Sequence, residues 1–155
     1  MKKEYDIDII IDSQYSQPKI VIYADKKSKE IDEIVDAINK SETNTISAYS
    51  NGKIIIINKN DILRIRRYGR QVYLETETDS YILKKSITQL EEELDNKRFI
   101  RISQSEIINA YKVIDLDVSF VGTIVIGFVN GVKTNVSRRY VKVVKDFFEN
   151  NKGVE

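Results

Sequence analysis

No cysteine and no histidine occur in the 155 residues, tryptophan is absent, and proline appears once. The missing cysteines exclude a disulfide framework and thiolate zinc sites, and they fit a reducing compartment. The missing histidines remove more. Imidazole is the commonest general base, the commonest metal ligand and the usual partner of a serine or cysteine nucleophile. Most hydrolytic chemistry therefore lacks its machinery, and carboxylates would have to carry any catalysis. Glu75, Glu77 and Asp79 alternate along a candidate strand, and Glu91, Glu92 and Glu93 cluster on a candidate helix, both patterns of solvated faces. The chain reads as non-enzymatic, with no cofactor and no small-molecule substrate. Long hydrophobic runs are also missing: none approaches bilayer length. The first residues, MKKEYDIDIIID, interleave acids with apolar side chains and offer no small-residue cleavage site, so they read as a strand rather than a signal peptide. The default expectation is cytoplasmic.

What is present is an apolar content of 41%, enough to bury the core of one domain, or of a small domain joined to a small extension. The net charge of +1 conceals an uneven distribution. Over residues 97–145 nine lysines and arginines stand against three acids, about +6, so the remainder of the chain sums to about −5. Such a division suits a face turned to a polyanion, of which nucleic acid is the commonest.

The pattern along the chain predicts a strand over Tyr5–Asp12, a turn at Gln17-Pro18 and a second strand over Lys19–Tyr23. From Ser28 to about Asn39, the residues Ile31, Ile34, Val35 and Ile38 recur at helical spacing and define an apolar stripe. A polar segment, residues 40–44, ends this small β-β-α unit and divides the chain into residues 1–44 and 45–155. Short strands follow. Thr45–Tyr49 and Lys53–Asn58 flank Asn51-Gly52, a dipeptide suited to the positive φ angles of a type I′ hairpin. Ile62–Arg66 and Val72–Thr76 flank Tyr68-Gly69-Arg70-Gln71, and Ser80–Lys84 leads to a helix whose start, Ser86-Ile87-Thr88-Gln89, has capping-box spacing. A last hairpin, Thr123–Val129 with Val132–Val136, turns at Asn130-Gly131.

Three places point outward. Ser103-Gln104-Ser105-Glu106 has capping-box form and predicts a short helix from Gln104 that carries Ile107 and Ile108 inward. The N–H groups of its exposed first turn would suit a phosphate oxygen, although most capping boxes bind nothing. Ser137 is the candidate N-cap of a terminal helix whose apolar face is Tyr140, Val141, Val144, Phe147 and Phe148, which sets Arg138 and Arg139 in its first turn. Cations there oppose the helix dipole at about 0.3–1 kcal/mol each, so some other interaction must favour them. That interaction is either a phosphate or guanine contact, or an ion pair elsewhere in the fold. The third place is the turn bearing Arg66, Arg67, Arg70 and Gln71, either a groove contact or a solvated edge. Gly127 to Thr134 faintly resembles a phosphate-binding loop, but its spacing fails and a hairpin follows where a helix is required.

Taken together, Asp61-Ile62-Leu63, the run FIRISQSEIIN from Phe99 to Asn109, Val132–Val136 and Ser137-Arg138-Arg139-Tyr140 resemble the LytTR family of bacterial DNA-binding domains over roughly residues 45–150. The resemblance implies an α+β fold, a mostly antiparallel β domain with short helices, here preceded by the small β-β-α unit. It implies that double-stranded DNA is met by three loops in successive grooves and not by a recognition helix. Carried over to this sequence, those loops contain Arg70 and Gln71, then Ser103, Gln104 and Ser105, then Arg138 and Arg139. Gln104 and Arg138, with Gln71 or Arg70, are the expected base contacts; Arg101, Ser103, Ser105 and Arg139 are the expected phosphate contacts. The N-terminal unit, about 44 residues, is too short for a phosphorylated receiver. The chain looks like the stand-alone regulators of this family, some of which look to be held in check by a membrane-protein inhibitor; the unit is also a candidate for forming a homodimer on a repeated DNA site, and its helix stripe is equally well read as plain core. The expected function is sequence-specific transcriptional regulation. The alternative is a non-catalytic module that docks an acidic protein through the same basic face.

Overall fold

The structure, a computed structural model of the chain, describes residues 4–41 and 44–150 and, of residues 39–41, the backbone alone. It divides into two compact units, residues 1–39 and 40–155. The polar separator expected at residues 40–44 lies partly outside the described residues.

In the first unit, helix α1 spans Lys29–Ser41, with Ser28 Oγ accepting from the Ile31 N–H at 3.4 Å in the manner of an N-cap. Its stripe is only partly covered: Ile31, Ile34 and Ile38 are half-buried and Val35 is exposed. The two strands expected before it do not form, and no ladder runs through residues 4–28. Ile7, Ile9, Ile10, Ile11 and Tyr23 are all exposed there. An isolated pair of strands is marginal without a third strand or a packed helix to cover its apolar side. Alternation alone therefore leaves this segment without a strand ladder.

The second unit is a sheet domain. β1 (Thr45–Ser50) and β2 (Lys53–Asn58) form the expected hairpin, and both turn residues have positive φ, Asn51 at 50° and Gly52 at 75°. β3 (Arg64–Tyr68) and β4 (Gln71–Glu75) turn at Gly69-Arg70, with Gly69 at φ 63°, and β5 (Ser80–Leu83) extends the meander. Helix α2 (Ile87–Glu93) starts at a complete capping box: Ser86 Oγ accepts from the Gln89 N–H, and Gln89 Oε1 accepts from the Ser86 N–H. β6 (Phe99–Ser103) and β7 (Glu106–Asn109) complete an antiparallel sheet of seven strands in the order β2-β1-β5-β4-β3-β7-β6. β8 (Val113–Val118), β9 (Ile124–Phe128) and β10 (Lys133–Asn135) form a second sheet in the order β10-β9-β8, and helix α3 (Val141–Asn150) closes the domain. Gly127, part of the faint phosphate-loop resemblance, is a mid-strand residue of β9, where a Cβ would collide with the Asp115 carboxylate across the ladder.

Two apolar cores lie on opposite faces of the large sheet. Ile65, Leu74, Phe99 and Ile107 meet Ile87, Leu90 and Leu94 from around α2 in one. Ile100, Ile102 and Ile108 meet Ile124, Ile126, Phe128 and Val144 in the other, between the second sheet and α3. β7 lies between them, and all four of its residues are buried. This explains why Ser103–Glu106 is a hairpin turn and not the predicted helix start. Ile107 and Ile108 point to opposite cores, which adjacent residues of a strand do and adjacent residues of a helix do not. Ser103 still caps locally, its Oγ accepting from the Ser105 N–H at 3.2 Å.

The buried polar residues among those described are Arg64, Glu106 and Asn109. Arg64 pairs with Glu75, whose other oxygen accepts from Arg66 Nε at 3.2 Å; Glu75 is thus half-buried and ion-paired, not part of a solvated face. Glu106 Oε1 accepts from Thr134 Oγ1 at 3.1 Å, so this carboxylate ties β7 of one sheet to β10 of the other. Its second oxygen has no hydrogen bond and faces Arg64 Nη1 at 3.8 Å. Burial raises the Glu106 pKa from its ordinary 4.5, opposed by the Thr134 hydrogen bond and by Arg64 and Arg66. Between the unfolded value and the raised folded one, the native state holds the extra proton, and stability falls as pH rises through that window. Glu106→Gln keeps the shape and the acceptor for Thr134 but does not titrate. Urea midpoints of the variant, measured from pH 4.5 to neutrality, should lose that part of the decline; a slope equal to the parent's contradicts the assignment.

Candidate nucleic-acid interface

Three loops converge through backbone hydrogen bonds that the β6–β7 hairpin organises. Ser105 O accepts from the Arg67 N–H at 2.8 Å, which fixes the turn against the outer end of β3. Ile102 O accepts from the Ser137 N–H at 3.0 Å, which fixes the segment entering the last helix against β6. The Thr134–Glu106 bond lies just behind both. Asn109, at the far end of β7, anchors the hairpin: its Nδ2 donates to Ile62 O at 2.8 Å, and its N–H donates to Leu63 O at 3.0 Å. The β3–β4 hairpin continues past Arg67 to its Gly69-Arg70 tip, so Arg70 and Gln71 extend the same end of the sheet outward by a few residues.

The expected site residues fall into two groups. Arg70, Gln71, Gln104, Arg138 and Arg139 are exposed, as an encounter with a groove or backbone requires. Arg138 and Arg139 lie in a 3-10 turn, Arg138–Tyr140, that runs into α3; Ser137 precedes it without a side-chain cap, unlike the expected N-cap. The ion pair that could have explained these two arginines is absent: among the described residues neither guanidinium has a hydrogen bond or ion pair, and the same holds for Arg67 and Arg70. Four exposed guanidinium groups without ion-pair partners thus stand on segments tied to the β6–β7 hairpin, an arrangement that favours an anionic partner. Arg66, by contrast, is tied to Glu75 at 3.1 Å.

Ser103, Ser105 and Arg101 are half-buried, and their polar atoms are engaged. The two serine hydroxyls lie 3.4 Å apart across the turn. Arg101 turns back into the protein: its Nε donates to Ser103 O at 3.0 Å, its Nη2 to Gln104 O at 2.7 Å, and its Nη1 meets Glu91 Oε1 at 3.4 Å. The sequence offers Glu106 as a capping-box residue, whereas it braces β7 against Thr134; it assigns no role to Arg64, Thr134 or Asn109, the other braces behind the loops. The only available signal was a lone acid, Glu106, heading the apolar pair Ile107-Ile108.

Comparison with known proteins follows the same lines. The model of the LytTr DNA-binding domain family matches residues 52–149. An uncharacterized HTH-type transcriptional regulator of Staphylococcus aureus strain MSSA476 is 30% identical over 141 residues, 90% of this chain and 95% of that protein. A regulator of the same description in strain NCTC 8325 matches to the same extent. Among solved structures, a LytTr DNA-binding domain from Bacillus cereus has a TM-score of 0.65 at 18% identity, covering 68% of this chain and 97% of that one, which shows the shared fold. Despite the relatives' helix-turn-helix description, strands separate every pair of α-helices among the described residues here. The β architecture, the basic loops and the match across residues 52–149 agree: the chain belongs to the LytTr DNA-binding domain family.

Proposed function

We propose that the protein is a transcriptional regulator that recognises a specific duplex sequence through three loops, with Gln104, Arg138 and Arg70 or Gln71 at base edges and Arg139 on phosphate. The single observation that carries this reading is the set of exposed arginines, Arg67, Arg70, Arg138 and Arg139, left without intramolecular partners beside a rigidly braced turn. Arginine suits both tasks, since its planar fork matches phosphate oxygens and the O6/N7 edge of guanine. Glutamine at the turn tip can pair with adenine N6/N7 in the same bidentate manner.

The two arginines of the last loop should separate on measurement. Arg138→Ala should weaken binding to the preferred duplex by about 1–3 kcal/mol and relax preference at one base position. Arg139→Ala should weaken all duplexes alike and lower the slope of log affinity against log salt by about 0.9. Anisotropy titrations over a salt series, with unrelated duplex as competitor, read both. Parent-like binding by both variants would remove the last loop from the interface, and equal affinity for every duplex would favour a basic face that docks an acidic protein.

The N-terminal unit, by the same proposal, serves protein contact and joins two copies of the chain on a repeated DNA site. Its exposed Ile7, Ile9, Ile10 and Ile11 and the partly covered stripe of α1 support this, because apolar surface of that extent is unfavourable in water. The regulators from Staphylococcus aureus match over 141 residues, a longer stretch than residues 52–149 of the DNA-binding domain. Light scattering on the full chain should return twice the chain mass. A monomer would contradict pairing and turn attention to a different protein, such as a membrane-bound inhibitor.

A further inference from the structure

The sequence invites a phosphate contact at Arg101, but the structure gives this side chain other work. Only 16% of it is exposed, and each nitrogen of its guanidinium has an intramolecular acceptor. Two of those acceptors are consecutive backbone carbonyls, Ser103 O and Gln104 O, of the turn that carries Gln104. We infer that Arg101 is a positioning residue: its guanidinium clamps the Ser103–Ser105 turn and thereby sets the direction in which Gln104 meets DNA. The inference rests on the proposal that this turn contacts DNA.

Two features give the clamp its role. A two-residue hairpin normally uses a turn with positive φ, supplied by glycine or asparagine, as the β1–β2 and β3–β4 hairpins do at Asn51-Gly52 and Gly69. Gln104 and Ser105 are neither, and neither has positive φ. The ladder is also irregular here, with a register shift between Arg101 and Ser103, so the strands alone do not fix the turn. Consecutive carbonyls drawn toward one cation supply the missing constraint. Charge-assisted bonds to a carbonyl are roughly twice as strong as neutral ones, and a half-buried site protects them from water. Glu91, just beyond the middle of α2, holds the third nitrogen and limits rotation of the guanidinium plane. That exposed link contributes little energy by itself, and its effect is orientation.

The geometry requires a fork. Lysine would keep the charge but present a compact ammonium that cannot bond two carbonyls and a carboxylate in one plane. A residue that touches phosphate behaves differently, because lysine then retains most of the contact and alanine removes one released counterion.

The test uses the full chain, a labelled duplex enriched from a random pool by the parent protein, and an unrelated duplex of equal length, titrated over salt. Arg101→Lys and Arg101→Ala should each bind the enriched duplex roughly tenfold or more weakly. Both should bind the unrelated duplex like the parent, with an unchanged salt slope. Adding Gln104→Ala to Arg101→Lys should cost little beyond the worse of the two single variants, because a mispositioned side chain that is gone cannot be lost twice. If Arg101→Ala fails to fold, Arg101→Lys and its cycle with Gln104→Ala carry the test. A salt slope about 0.9 smaller in the alanine variant, with lysine restoring it, would make Arg101 a direct phosphate contact and overturn the inference. Additive losses from Arg101→Lys and Gln104→Ala would overturn it as well. If Gln104→Ala alone binds the enriched duplex like the parent, the turn is not a DNA contact and the underlying proposal fails first. If Gln104→Ala weakens binding while both Arg101 variants match the parent, the inference alone fails.

Discussion

The rest of the domain depends on the burial of β7 from both sides. Ile107 faces the core under α2, and Ile108 faces the core shared with the second sheet and α3. Removing either side chain to alanine would open a cavity where protein interiors tolerate none, at a typical cost of about 2–5 kcal/mol. Because the strand is clamped in this way, its outer end is a fixed platform. The turn over Ser103–Ser105, the Arg67 amide and the Ser137 amide are all referenced to that hairpin and not to one another through flexible chain. A DNA-binding surface made of loops needs such a platform, since a loop ordered only on binding would lose part of its affinity to the entropy of that ordering.

The polar groups near the platform divide the work. Those with partners inside the protein, Arg64, Glu75, Arg66, Glu106, Thr134 and Arg101, hold the strands and the turn in register. Those without, Arg67, Arg70, Arg138 and Arg139, remain as a source of positive potential. A buried ion pair is weak evidence for stability, because desolvation of both charges offsets most of their attraction. Its value here is geometric: it fixes where the unpaired charges stand. One end of the sheet thus presents a local excess of cations, although the chain as a whole is nearly neutral.

How much of this was legible in the sequence depends on how local each determinant is. The β1–β2 hairpin and the start of α2 follow from Asn51-Gly52 and from Ser86 with Gln89, whose turn and cap chemistry is complete within four residues. The misread helix at Gln104 has a different cause. Adjacent Ile107 and Ile108 erase the alternation that marks a strand, because β7 is apolar on both faces, and the Ser103–Ser105 hydrogen bond of a tight turn has the same sequence form as a helix cap. β8 alternates Ile114, Leu116 and Val118 with Asp115 and Asp117, but the register shift between Val113 and Asp115 leaves Val113 and Leu116 half-buried and Ile114 and Val118 exposed, so its faces do not follow that alternation. The N-terminal strands fail in the opposite sense: their alternation is clear, but a strand exists only with a neighbour. Of the site, the exposed arginines were legible from charge, while the inward use of Arg101 depends on carbonyls whose direction only the folded turn defines.

The central claim is that DNA meets the protein at the three loops braced by the β6–β7 hairpin. Amide hydrogen exchange on the full chain, free and saturated with its preferred duplex, tests it most directly. The account predicts slowed exchange at Gly69–Gln71, at Gln104-Ser105 and at Ser137–Arg139, with little change along β8 or α1. Protection centred on β8 or α1, with those loops unaffected, would contradict it.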